Sequence, residues 1–219
     1  MSLPVHYKAF DFADGLTIYR RRLPHWRQDG CAYFVTFRLA DSIPQPLLRE
    51  WDVVRQGWLA NHPRPWTEKT FREYERKFTA QMEEYLHAGS GQCILKSPKN
   101  AYVVKDSRLH FDGDRYDLGN FVVMPNHAIL KPYGEFNLED IIGRCKSFTA
   151  QEINKEKSSG GRVWSEECYD HIIRGEAEMN RIARYIRANP EKSGLKSDAT
   201  INGGCTANWV CDLPRCQRQ

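Results

Sequence analysis

Residues 115–130, RYDLGNFVVMPNHAIL, constrain the fold more than any other stretch of this chain. The first run is rich in aromatic and β-branched residues. It follows an Asp112-Gly113 turn signal, breaks at Pro125, and resumes as HAILKPY. Two strand-like runs that close together in sequence pair antiparallel, because a parallel partner needs a long crossover. Residues i and i+2 of a strand share a face, so His127 and Ile129 fall on one side of the second run. A histidine at 129 would complete a two-imidazole metal site, but isoleucine stands there.

Helical patterns surround this hairpin. CAYFVTFRLA (31–40) reads as the first strand. After it, Leu47, Leu48, Trp51, Val54 and Trp58 recur at helical spacing up to Pro63 and Pro65. A second stripe, Phe71, Tyr74, Phe78, Met82 and Tyr85, runs to Gly89, a natural C-cap. Trp51, Trp58 and Trp66 are expected in the core of this helical insertion, at about 44–90. Residues 97–111 lean to a short helix. From an Asn137 N-cap, Leu138, Ile141, Ile142, Cys145 and Phe148 form a further core stripe. A last helix, with Met179, Ile182, Ala183 and Ile186 buried, is expected to stop at Pro190. The final residues, 197–219, read as an irregular tail. Strands alternating with helices around a hairpin predict an α+β fold, a central antiparallel sheet flanked by helices.

The 219 residues are 41% hydrophobic and carry a net charge of +4. No apolar run is long enough to span a bilayer, and MSLPVHYKAFDFADG lacks a secretory signal. The expectation is a cytoplasmic protein, monomer or homodimer, with no membrane partner. Seven cysteines without CxxC spacing read as reduced thiols. Basic residues gather in two places: Arg20, Arg21 and Arg22 before His25, Trp26 and Arg27, and Arg181, Arg184 and Arg187 on the last helix. Either cluster suits phosphate contact with base stacking, and either suits a solvated surface. Lys146 and Arg174 divide in the same way, between DNA contact and a solvated face or structural salt bridge. The other histidines, His25, His62, His87 and His110, read as surface or ordinary packing.

Tyr185 and Asn189 lie one turn apart on the last helix, off the centre of its apolar stripe. By themselves they fit two descriptions. One is a phenol beside a metal-binding carbonyl; the other is a boundary tyrosine with an asparagine capping the helix.

VVMPNH, KSFTAQEIN, VWSEECYDHIIR and YIRANPEKSGL occur in order, together with YFVTFRLADSIPQ. In these motifs the chain resembles the REP-associated tyrosine transposases, a single-tyrosine branch of the HUH nuclease superfamily, over about residues 18–196. The resemblance implies a ferredoxin-like palm: a central antiparallel sheet flanked by helices, with the His-hydrophobic-His motif on a central strand. It implies single-stranded or hairpin DNA as substrate and Mg²⁺ or Mn²⁺ as cofactor, and a protein associated with the nucleoid when bound. Tyr185 falls on the nucleophile that becomes joined to a 5′-phosphate. His127 falls on the first imidazole and Asn189 on the amide ligand. Ile129 falls on the second imidazole, where this chain departs from the pattern.

The implied chemistry accounts for these residue types. A phenol with an ordinary pKa near 10 is a poor nucleophile until activated, and a metal polarises the scissile phosphate and holds it in line. Ile129 offers no donor, which predicts roughly ten- to a hundredfold weaker metal binding. Glu176 or Glu178 remain possible substitutes, whereas His171 belongs to the family pattern already. The alternative is a protein of the same fold that binds hairpin DNA without cutting it.

Overall fold

The computed structural model describes residues 5–11, 13–15, 17–20, 24–63, 66–87, 91–123, 126–157, 160–166, 168–192, 202–203 and 209–212. They form two compact units, residues 38–93 and the remainder. The larger unit is α+β. Its main sheet has strand order β7-β4-β6-β5-β8: Tyr169–Ile172, Tyr33–Phe37, Asn126–Pro132, Tyr116–Val123 and Asn202–Gly203, all antiparallel. Among the described residues β4 is the fourth strand in sequence. It follows β1 (Val5–Lys8) and a hairpin of β2 (Thr17–Arg20) and β3 (Pro24–Arg27). These three are four residues each, too short to show a period of two against their polar neighbours. Residues 197–219, expected to be irregular, supply β8 and β9 (Trp209–Asp212), the latter pairing parallel with β1.

Partners directly opposite in an antiparallel ladder share a face. Tyr33, Val35 and Phe37 of β4 therefore lie with Phe121 on one face, toward α4 (Pro98–Leu109) and α5 (Leu138–Lys157). There the buried guanidinium of Arg108 stacks 4.6 Å from the centre of the Phe37 ring. Burial pulls its pKa down to about 10. Phe34 and Val122 occupy the other face. They pack with Tyr7, Ala32 and Ile173 against Met179, Ile182, Ala183 and Ile186 of α6 (Glu176–Lys192). The α6 stripe is the one expected. The helix, however, continues two residues past Pro190, since a proline near a C-terminus forfeits one backbone bond without preventing a final turn.

The stripe of α5 differs in one place. Phe148 is 51% exposed, and the buried row runs Cys145, Thr149, Ile153 instead. Positions 148 and 149 satisfy helical periodicity equally well from 145. Thr149 is admitted because its hydroxyl is bonded twice, donating to the Cys145 carbonyl at 2.6 Å and accepting from Trp164 Nε1 at 2.9 Å.

The smaller unit is helical: α1 (Gln45–Asn61), then α2 (Glu68–Tyr74), a π turn (Glu75–Thr79) and α3 (Ala80–His87). Trp51, Trp58, Trp66, Tyr74, Phe78 and Met82 are buried in it, with Trp58 tilted or edge-on to Trp66, Tyr74 and Phe78 at 5.2–5.8 Å. Tyr74, Phe78 and Met82 repeat every four residues, which drifts around a 3.6-residue helix. The wider i→i+5 turn absorbs that drift. The Gly89 cap lies outside the described residues.

Candidate functional site

Helix α6 crosses the sheet on the Phe34 face. Near its start Glu178 meets His171 of β7, and two turns later Tyr185 meets Phe34 of β4. The Tyr185 ring stands edge-on to Phe34, with centroids 6.1 Å apart at 84°. Phe34 pairs with His171 on one side and with Ile129 on the other, while Thr36 pairs with Tyr169 and His127. Strand register thus puts positions 127 and 129 on the α6 face. The side chains of residues 126–129 lie outside the described residues, and so do Arg21 and Arg22.

Asn189, one turn beyond Tyr185, is fully buried, whereas Arg181, Arg184 and Arg187 are exposed. Lys146, on the opposite side of the sheet, donates to the carbonyls of Ser165 at 3.0 Å and Glu166 at 3.3 Å, tying that loop to α5. Arg174 sits in the link between β7 and α6, its backbone N–H donating to Glu178 Oε2 at 2.8 Å.

Glu178 is one of two carboxylates that the sequence offers as a replacement metal donor. Its oxygens are engaged otherwise. Besides Arg174, it accepts from His171 Nε2 at 3.1 Å and from Arg181 at 3.0 Å. A glutamate at the third helical position reaching back to an N–H before the helix is half of a capping box, a signal legible in the sequence. Burial pushes this carboxyl up, but the His171 ring and the Arg174 N–H outweigh it and hold the pKa at about 2, against an ordinary 4.5. The stability contributed is therefore complete above about pH 4.5 and is lost as the pH falls toward 2. Glu178→Gln is expected to flatten that acid limb by at most about 3 kcal/mol, measured by urea unfolding between pH 2 and 6.

His25, read as surface or ordinary packing, and Arg27, in a cluster that suits either phosphate contact or a solvated surface, both turn inward. His25 Nδ1 and Arg27 both bond the buried carboxylate of Asp170, and Arg27 also pairs with Glu139 at 2.6 Å. With Trp26 buried too, this end of the basic cluster serves the core, on the face away from Tyr185.

Among the described residues no group of three or more His, Cys, Asp or Glu side chains stands close enough to hold a metal. The donor types at positions 127 and 189, one imidazole and one amide, suffice for a loosely held Mg²⁺ or Mn²⁺ that completes its shell with phosphate oxygens and water. No helix among the described residues is long and apolar enough to cross a membrane.

No protein-family model matches this sequence, and no curated protein does. A solved structure described as that of the REP-associated tyrosine transposase bound to a REP hairpin is similar at 16% identity. The match covers 81% of this chain and 74% of that one, with a TM-score of 0.41.

Proposed function

We propose that this protein cleaves and rejoins single-stranded DNA beside hairpins, with Tyr185 as the nucleophile. The observation that supports this most is the meeting of Tyr185 with Phe34, on the sheet face to which register assigns position 127. The phenolic oxygen attacks the scissile phosphorus, the bond to the 3′ oxygen breaks, and a 5′-phosphotyrosine and a free 3′-hydroxyl result. Attack by that hydroxyl, or by another, reverses the step without an external energy source. Arg181, Arg184 and Arg187, exposed on the same helix, offset phosphate charge. His127 and Asn189 would hold the divalent ion, which when bound polarises the phosphate.

Incubation of the full chain with a hairpin oligonucleotide bearing a single-stranded flank and Mn²⁺, followed by denaturing electrophoresis, is expected to give a protein–DNA adduct. Ile129 and the full burial of Asn189 favour a second reading, a hairpin binder that does not cut. That reading predicts salt-dependent binding and no adduct with any divalent cation.

A further inference from the structure

The missing imidazole at 129 faces an irregularity in the neighbouring strand. Leu118 pairs with Leu130 and Phe121 with Ala128, so the register of β5 against β6 shifts between them. Gly119 and Asn120 on β5 thus stand opposite the single residue Ile129. Two residues opposite one is a β-bulge, a device that re-aims side chains and recurs next to active sites. In a regular ladder residue 120 would share the face of Leu118. The extra residue instead brings it round to the face of Ile129, Val122 and α6. Gly119 has no side chain, which leaves Asn120 to fill that place, partly exposed to solvent.

α6 leads toward the same spot. It passes from His171 on β7 to Phe34 on β4 and also packs against β6 and β5. From residue 185 to 189 the helix advances about 6 Å, a little more than one strand spacing. Continued in its direction of travel, it carries Asn189 from β4 toward β6 and β5. The geometry points to Asn120 as a third protein donor for the divalent cation, standing in for the imidazole that Ile129 lacks. This assignment rests on the tyrosine-nuclease reading and extends its metal site. The donor set becomes one imidazole nitrogen and two amide oxygens. Carbonyl oxygens suit Mg²⁺ and Mn²⁺, whereas imidazoles favour zinc and later transition metals. The substitution therefore keeps a hard-cation site and narrows its metal preference.

Binding can be read without activity, by titrating Mn²⁺ alone into the metal-free full-length protein and following the resonance of the free ion. Asn120→Ala is expected to weaken Mn²⁺ binding at least tenfold, with its thermal unfolding midpoint retained. Ile129→His in the Asn120→Ala background is expected to restore it, and Asn120→Asp to strengthen it over the parent. Unchanged affinity in Asn120→Ala, or no Mn²⁺ bound by the unsubstituted protein, overturns the assignment. Absence of any DNA adduct from the parent protein with Mg²⁺ or Mn²⁺ would overturn the nuclease reading instead, and would leave the metal titration standing.

Discussion

Tyr185→Phe should bind hairpin DNA as well as the parent protein and form no covalent adduct at all. The variant removes one oxygen and keeps the ring. Edge-on packing against Phe34 depends on the ring, so its cost in stability should be about 1 kcal/mol, the net worth of a phenol hydrogen bond. Among the described residues Tyr169, the other partly buried phenol packed on this core, sits on a strand rather than on α6, so it does not share the geometry of the proposed nucleophile. Loss of the adduct with retained folding and unchanged salt dependence of binding separates chemistry from recognition. An adduct of undiminished yield would move the nucleophile elsewhere.

Asp170→Asn should be the most damaging single change to the fold, at about 3–5 kcal/mol. The carboxylate has only 1% of its side chain exposed, with His25 at 4% and Arg27 at 16%. Burial alone would push its pKa up, but the His25 hydrogen bond and the Arg27 charge reverse that and hold it below the usual carboxylate range. Removing the charge leaves a desolvated guanidinium with Glu139 as its remaining acidic partner. β3, β7 and α5 are joined through these side chains, so their docking weakens together. Urea unfolding measures the loss directly. Asp170→Asn combined with Arg27→Met should cost less than the two changes summed, because the second removes the charge that the first strands. A cost below about 1 kcal/mol for Asp170→Asn would show that the network contributes little.

The central hairpin and the apolar stripe of α6 were legible because each repeats one clear period over eight or more residues. In α1, Trp51 and Trp58 of the expected stripe are buried with Arg55, whereas Leu47 and Val54 are exposed. Phe148 and Thr149 were not separable, because the choice between them depends on Trp164, fifteen residues away in sequence, offering a hydrogen bond. His25 looked like one more polar residue in a basic run. Only the fold reveals Asp170 beside it. The bulge at Gly119–Asn120 was invisible for a related reason: a register shift belongs to a pair of strands, and neither strand records it alone. Tyr185, Asn189 and position 127 were marked by motif, and what the structure adds is their common side of the sheet. Glu178, which the sequence offers as a replacement metal donor, instead secures the start of α6.

The parallel pairing of Val5 with Trp209 bears on the order in which the molecule assembles. More than two hundred residues separate those partners, so closing them costs the most loop entropy of any strand pair among the described residues. A ribosome-bound chain exposes Val5–Lys8 early and leaves that strand edge waiting until residue 212 has emerged. Tyr7, which this strand contributes to the core beneath α6, should be among the last side chains to find its place.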